Sequence, residues 1–340
     1  MDSLRTFRPG GSFPAARRLF CTAAGLMAAG LTAAMAVAPA RAADFPRQPI
    51  RLVVPFSAGS GTDLAARELA QRLGETNGWQ IVVDNKPGAN GFIAVQDVMR
   101  APADGYTLIM TGNTTHAANP ALFQKLPYDP IADFAPITRG AIVPLVLFAA
   151  PKHGFQSVAQ LVERARAQPG TLSFATGSAS HRLSGEILKQ RAGVQATHVG
   201  YKGSPQALTD LIGGHVDFMF VDMPAGISFI KAGTLVPLAV TSPKRLAILP
   251  NVPTMAESGF PGFEVSGWSA FFAPAKTPPD IIAKLHAAIS GYLLSPSGKA
   301  FAQNLGGYVE PTTPQQTTEW VRSEIDSYKT TFRQAGIAPE

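Results

Sequence analysis

The sequence predicts an α/β protein in which short strands alternate with helices around a parallel or mostly parallel sheet. Short apolar runs alternate along the chain with segments of helical periodicity, which is the pattern of repeated strand–helix units. Three predicted strands also end in turns of small and hydroxyl-bearing residues, at 57–62, 111–116 and 176–181. Because ligands of open α/β sheets bind beyond the carboxyl ends of the strands, we expect these turns to converge on one binding site.

The first strand–turn–helix unit spans residues 50–73 and has the features of an anion-binding site. Ser60 followed by Asp63 fits an N-terminal capping box. The helix that follows has one apolar face, formed by Ala66, Leu69, Ala70 and Leu73. A turn at the positive end of a helix dipole presents unpaired backbone N–H groups, which favour a bound anion. From this unit alone, phosphate and carboxylate are equally open.

The remaining elements follow from the same patterns. Apolar runs predict strands at 79–83, 106–110, 142–150, 172–175, 197–199, 216–221 and 235–240. Helical periodicity predicts helices at 91–100 and 158–167, after the 176–181 turn, and at three later positions. Each of these three begins with a hydroxyl residue before a proline, a pair typical of a first helical turn: Ser204-Pro205, Thr277-Pro278 and Thr313-Pro314.

Residues 1–42 have the pattern of a secretory leader. Four arginines precede an uncharged run at 19–38, and Ala40-Arg41-Ala42 provides a small-x-small cleavage site. The run is long enough to span a bilayer, but its Ala- and Gly-rich composition and the cleavage site favour removal over retention as an anchor. We expect a mature chain that begins near Ala43 in the periplasm. Export would follow the general secretory route or, given Arg17-Arg18, the twin-arginine route.

Composition argues against several function classes. The chain has 340 residues, of which 46% are hydrophobic and 15% charged, so it is globular and long enough for two domains. The leader carries five of the 29 basic residues and one of the 23 acidic residues, which leaves the rest at about +2 and gives no support to a nucleic-acid partner. The single cysteine, Cys21, lies in the leader, and the six histidines show no i, i+4 pairing that would indicate a metal site.

Two features keep other readings open. Gly59, Gly61 and Asp84 imitate a dinucleotide fingerprint, although Leu64 takes the place of its third glycine, so an exported dinucleotide-dependent oxidoreductase is the alternative function. Asp222 ends an apolar strand, where it either caps the next helix or accepts a hydrogen bond from ligand or water in a pocket.

Motifs spread over the whole predicted mature chain match one known family in order and spacing. They are the segments 45–49, 53–63, 84–91, 103–108, 116–122, 199–214, 250–259 and 268–274. The most specific is Val199-Gly-Tyr-Lys-Gly-Ser-Pro-Gln-Ala-Leu-Thr-Asp-Leu-Ile-Gly-Gly214. With these motifs the chain resembles the periplasmic solute-binding proteins of tripartite tricarboxylate transporters, known as the Bordetella-uptake-gene type.

This resemblance implies a type II periplasmic-binding-protein-like fold with two α/β domains, a hinge and an interdomain cleft. One domain would comprise residues 43–145 with 263–340, and the other residues 146–262, with crossing strands at 142–150 and 265–273. The protein would be a non-catalytic monomer without cofactor or metal. Its ligand would be a di- or tricarboxylate, an acidic amino acid or an aromatic acid, delivered to membrane permease subunits. A periplasmic ligand sensor for a signalling kinase is a second alternative, which the sequence does not separate from transport.

The resemblance also implies a ligand carboxylate held largely by backbone amides and ordered water rather than by an arginine clamp. The residues carried over are Phe56, Ser57, Ala58, Gly59, Ser60, Gly61, Thr62, Asp63, Asn113, Thr114, Thr115, His116, Ala117, Thr176, Gly177, Ser178, Ser180, Arg182 and Asp222. Two features depart from the family pattern. Ser60 separates two glycines that are usually adjacent, and Arg182 stands before Leu183, where it either contacts a distal ligand carboxylate or points to solvent.

Overall fold

The computed structural model describes residues 45–334 and 336–339, and the predicted leader with its cleavage site lies outside them. Strands in the described part are β1 (Ile50–Val54), β2 (Ile81–Asn85), β3 (Thr107–Gly112), β4 (Phe134–Ala149), β5 (Ser173–Thr176), β6 (Thr197–Gly200), β7 (Phe218–Asp222), β8 (Pro237–Val240), β9 (Ser266–Pro274) and β10 (Tyr308–Val309). Helices are α1 (Gly61–Asn77), α2 (Phe92–Met99), α3 (Asn119–Leu122), α4 (Val158–Ala167), α5 (Ala179–Ala192), α6 (Ser204–Ile212), α7 (Met223–Lys231), α8 (Pro279–Leu294), α9 (Pro296–Asn304) and α10 (Pro314–Gln334).

The strands form one mixed sheet in the order β2-β1-β3-β9-β4-β7-β5-β6, with β8 and β10 paired to β4. Neighbours are parallel at both ends, in β2-β1-β3 and in β7-β5-β6. In the middle, β9 runs antiparallel to both β3 and β4, and β4 runs antiparallel to β7. The predicted α/β class is confirmed, but the expectation of a mostly parallel sheet is wrong for its centre. Apolar runs report which strands are buried, and they carry no information on strand direction.

Strand β4 links the two parallel groups. Its first part pairs with β9 from Phe134 to Pro144, and its last five residues pair with β7. The sequence predicted a strand only from residue 142, because Pro136 and Gly140 interrupt the apolar run that precedes it. In the structure these residues sit where the β4–β9 register shifts, between Pro136 and Thr138 and between Arg139 and Ile142. Such irregularities accommodate proline and glycine within a strand.

Helix starts follow the predicted capping chemistry at some positions only. Thr313 caps α10, where its hydroxyl accepts from the Gln316 N–H at 3.2 Å and its own N–H donates to the Gln316 side chain at 3.0 Å. Ser204 is already the first helical residue of α6, and Gly203 takes the cap position without a side-chain bond. Thr277 donates to the Pro274 carbonyl instead of capping α8. The last two caps were therefore predicted wrongly.

Stacked aromatic rings pack in the core against the strands that precede the turns. Phe174 of β5 and Phe218 of β7 stack with their centroids 5.5 Å apart, and both are buried. The His116 ring stacks on Phe272 of β9 at 4.0 Å. Because close-packed interiors resist movement, the turns that leave these strands have a fixed base.

Candidate functional site

The turn between β1 and α1 is held together by Ser60 and Asp63. The Ser60 hydroxyl accepts from the Asp63 N–H at 3.3 Å, so the predicted N-cap is present. The Asp63 carboxylate, 1% exposed, accepts from the Gly59 N–H at 2.8 Å, not from the N–H of Ser60 as a capping box requires. Asp63 therefore closes the turn one residue earlier than predicted.

Asp63 is fully engaged by protein partners. Arg67 and the Asn85 side chain donate to its two oxygens at 2.9–3.0 Å, and Asn85 also donates to the Phe56 carbonyl at 3.0 Å. Burial alone would raise the pKa of Asp63, but the hydrogen bonds from Arg67, the Gly59 N–H and Asn85 lower it overall. The carboxylate is therefore ionised at neutral pH, and it shapes the turn without facing the cavity described below.

The amides of Gly61 and Thr62 are left open by this arrangement. They are the first two N–H groups of α1, and no hydrogen-bond partner for either is found in the described part of the chain. A side-chain carbon added to Gly61 would lie 3.5 Å from the Asp222 carboxylate and 3.6 Å from Pro224. The positive end of α1 therefore faces the start of α7.

The second turn, after β3, combines a buried asparagine with a threonine that reaches across to α5. The Asn113 amide group donates to the Tyr328 hydroxyl at 2.8 Å and accepts from the Trp268 N–H at 2.7 Å. Its side chain therefore fastens the turn to β9 and α10. The Thr114 hydroxyl accepts from the Ala179 N–H at 3.1 Å, which joins this turn to the first turn of α5.

His116 belongs to the core rather than to a surface. It is fully buried between Phe134 and Phe272, and its Nδ1 lies 2.9 Å from the Thr115 hydroxyl. Burial lowers the pKa of His116 to about 3, so the ring is neutral at physiological pH. Nothing in the sequence indicated that His116, one of the predicted site residues, is a buried, stacked ring.

The third turn, after β5, sets up a contact between His181 and Asp222. The Gly177 N–H donates to His181 Nδ1 at 3.2 Å, so Nδ1 acts as the acceptor and the N–H of the ring lies at Nε2. Nε2 lies 3.3 Å from Asp222 Oδ2, although its N–H is not aimed well enough for a hydrogen bond. Asp222 makes no side-chain capping bond to α7, so the capping reading is wrong.

The turns enclose a cavity of about 90 Å³. The predicted site residues that line it are Phe56, Ser60, Gly61, Thr62, Asn113, Thr114, Gly177, Ser178, Ser180 and Asp222. The predicted residues outside its lining are Ser57, Ala58, Gly59, Asp63, Thr115, His116, Ala117, Thr176 and Arg182. Asp222 is the only charged side chain in this lining, which contains no Lys, Arg or His.

Several lining residues were not predicted. Ser204 of α6, Pro224 of α7 and Gly267, Trp268 and Ser269 of β9 all face the cavity. The motif at 268–274 gave the only signal for the β9 residues, and nothing pointed to the apolar side chains of α8 and α9 that also line the space. These helices belong to residues 263–340, which the resemblance assigns to the same domain as the first turn, but it gave no indication of which of their side chains line the cavity.

A second cavity of about 330 Å³ adjoins the first and shares Phe56, Thr114, Gly177 and Ser178 with it. Arg182 and Lys202 line this second cavity. The Arg182 Nε atom is buried without a hydrogen-bond partner, while Lys202 is exposed. Arg182 therefore neither lines the first cavity nor points simply to solvent.

A wider groove of about 820 Å³ is a weaker candidate for a small-molecule site. It is lined by Arg245, Glu264 and Glu324 among others, and of the three turns it touches only Asn113. Within residues 45–334 and 336–339, no group of three His, Cys, Asp or Glu side chains is arranged to hold a metal ion.

Comparison with known proteins identifies the family to which the chain is similar. The family model described as "Tripartite tricarboxylate transporter family receptor" matches residues 65–337. The protein BugT of Bordetella pertussis is 37% identical over 304 residues, which cover 88% of this chain and 93% of BugT.

Solved structures of similar proteins have the same fold. Rpa4515 of R. palustris with adipate has a TM-score of 0.85 at 37% identity, covering 87% of this chain and 100% of that one. The periplasmic binding protein BugD has a TM-score of 0.82 at 32% identity, covering 87% and 100%. MatC from Rhodopseudomonas palustris with bound malate has a TM-score of 0.78 at 31% identity, covering 84% and 99%.

The matches extend over nearly the whole described chain, and they confirm the resemblance seen in the motifs as well as the type II periplasmic-binding-protein-like fold. The family consists of non-enzymatic periplasmic binding proteins, so the oxidoreductase alternative is excluded. The chain belongs to the tripartite tricarboxylate transporter receptor family, the TctC or Bug type.

Proposed function

We propose that this protein is an extracytoplasmic receptor that captures a small carboxylate in the 90 Å³ cavity and delivers it to a tripartite tricarboxylate-type permease. One observation carries the proposal: the free amides of Gly61 and Thr62 stand at the positive end of α1, beside a cavity without basic side chains. Such amides hold an anion without an arginine. Adipate and malate in the structures of two relatives support a carboxylate as that anion.

The other turns would complete the site around the ligand. The hydroxyls of Thr114, Ser178 and Ser180 line the cavity and supply further hydrogen-bonding groups. Asp222 would accept a hydrogen bond from a ligand donor or from a bridging water. The remaining residues of the predicted site would act through the turns: Asp63 by closing the first, and His116 by packing beneath the second.

We further propose that the ligand closes a hinge between two domains, residues 43–145 with 263–340 and residues 146–262. The cavity draws lining residues from both sets, Gly61 from the first and Asp222 from the second. A ligand that touches both sets stabilises the closed form by its differential affinity for it. Strands β4 and β9 would carry the hinge, since β4 pairs with strands of both sets.

The place of action would be the periplasm, where the monomeric receptor meets its permease. The leader pattern at 1–42 supports export by the general secretory or the twin-arginine route. Between residues 45 and 339, no helix combines the length and apolar character needed to cross a bilayer.

Native mass spectrometry of the protein purified from the periplasm tests this function. We expect a small acid to co-purify, and carboxylates that bind to raise the melting temperature in a thermal-shift screen. If no carboxylate co-purifies or shifts the melting temperature, the protein is not a carboxylate receptor.

A further inference from the structure

The cavity beside α1 continues between the sheet and helices α1, α8 and α9. Six side chains define this continuation, which we call the inner arm: Leu69, Met110, Phe271, Tyr292, Leu293 and Phe301. All except Phe301 are buried, and only Tyr292 carries a polar atom capable of a strong hydrogen bond. One cavity thus joins a polar entrance at Gly61 and Thr62 to an apolar interior.

Apolar walls make the inner arm a poor place for water. A trapped water needs several polar partners, and apolar cavities of this kind stay dry. A ligand chain that enters the arm is therefore transferred out of bulk water, and it displaces no water that is well hydrogen-bonded within the arm. Each methylene transferred in this way raises affinity about fourfold.

Tyr292 gives the inner arm one hydrogen-bond donor without a partner. Its hydroxyl is buried, and no hydrogen-bond partner is found for it in the described part of the chain. Burial, with a smaller contribution from Glu68, raises the pKa of Tyr292 to about 12, so the hydroxyl keeps its proton. A buried donor without an acceptor is costly, and a ligand oxygen at this depth would remove that cost.

We propose that the inner arm receives the chain of the bound acid and that Tyr292 donates to an uncharged oxygen at its far end; this rests on the carboxylate site proposed above. The cavity of about 90 Å³ holds about six to nine water-sized spheres, which leaves room for about four to six chain carbons beyond the head group. A second carboxylate at the far end is disfavoured, because a single donor does not replace its hydration. The ligand class is therefore a linear acid with an apolar chain and a terminal carbonyl, ester or amide oxygen.

Chain length is tested by calorimetry with butanoate, hexanoate and decanoate on the purified wild-type protein. We expect hexanoate to bind about fifteenfold more tightly than butanoate, and decanoate, which exceeds the arm, to bind more weakly than hexanoate. Equal affinity for butanoate and hexanoate would overturn the inner-arm assignment and leave the carboxylate site standing. Failure of every acid to bind, with none co-purifying, would overturn both.

The role of Tyr292 is tested with two ligands of similar length, monomethyl adipate and heptanoate. Tyr292→Phe removes the hydroxyl and keeps the ring, so we expect about a tenfold loss of affinity for the ester and no change for heptanoate. Tyr308→Phe, at an exposed tyrosine outside the cavity, is the control and should change neither. An equal effect of Tyr292→Phe on both ligands, or none on either, contradicts the hydrogen bond.

Discussion

The carboxylate of Asp63 accepts a hydrogen bond from the N–H of Gly59, four residues earlier, at 2.8 Å. This bond closes the turn before α1 and leaves the Gly61 and Thr62 amides as its free donors. Asp63, one of the predicted site residues, therefore shapes the turn and does not line the cavity.

We expect Asp63→Ala to lower the free energy of unfolding by about 1–3 kcal/mol, because several donors lose a buried acceptor. The turn should loosen, and carboxylate affinity should fall by at least tenfold. Urea denaturation and calorimetry measure the two effects. Glu75→Ala, which removes an exposed ion-pair partner on the same helix, is the control and should leave the free energy of unfolding close to that of wild type. Unchanged affinity in Asp63→Ala would contradict the role of the turn.

Gly61 offers a direct test of the backbone amides. Gly61→Pro removes the N–H at the first position of α1, where proline is tolerated and where Ser60 already has the extended backbone that proline requires. We expect carboxylate affinity to fall more than tenfold with little change in the melting temperature. Gly61→Ala keeps the N–H, and its added carbon meets Asp222 and Pro224 only at ordinary contact distance. If the proline variant binds as well as the alanine variant, the amide is not a ligand.

Asp222 places a negative charge beside the same amides. For an acid without a hydrogen-bond donor, this charge repels the ligand carboxylate, so Asp222→Asn should raise affinity about fivefold for hexanoate. For a 2-amino or 2-hydroxy acid the substitution should lower affinity, because the ligand loses a charged acceptor. Calorimetry with hexanoate and malate compares the two cases. If the affinities for both acids change in the same direction, Asp222 does not accept a hydrogen bond from the ligand.

Arg182 lies in the adjoining cavity, where its charge would attract an acid before binding. We expect Arg182→Ala to slow association several-fold at low ionic strength, with the difference shrinking as salt is added. The relative affinities for mono- and dicarboxylates should stay the same, since the residue does not line the first cavity. Stopped-flow measurement of association at two salt concentrations tests this. A selective loss of dicarboxylate binding would assign Arg182 to a distal carboxylate.

His116 predicts a pH dependence of stability. Its pKa is about 3 in the folded protein and near its ordinary value of 6.5 in the unfolded chain. Between these two pKa values the unfolded chain binds a proton at this residue and the folded protein does not. The free energy of unfolding therefore has its full value above about pH 6.5 and falls as the pH drops toward 3.

Replacing His116 removes this linkage. His116→Phe should flatten the decline of the free energy of unfolding between pH 6.5 and 3, because the stacked ring stays and the proton site goes. Replacement of the exposed His215 by Asn is the control and should leave the decline unaltered. An unchanged slope in His116→Phe would show that another group controls acid stability.

Much of the fold was predictable from the sequence. Apolar runs located nearly every strand to within a few residues, and α4 was predicted with its observed bounds. The strand direction at the centre of the sheet and the early start of β4 could not be predicted from the sequence, because pairing with β9 decides both. The caps at Ser204 and Thr277 were predicted wrongly: Gly203 takes the cap position of α6, and the Thr277 hydroxyl donates to the Pro274 carbonyl.

The sequence by itself determined the α/β class, the family and the three small-residue turns, since each depends on local composition and on the order of motifs. Tertiary structure alone decided which members of those turns face the cavity. Within one turn Gly61 opens onto it while Asp63 is drawn away by Arg67 and Asn85. Tertiary structure also brought Tyr292, more than two hundred residues away along the chain, to the lining of the same space. Side-chain orientation and long-range contact depend on packing, which neighbours in space and not neighbours in sequence provide.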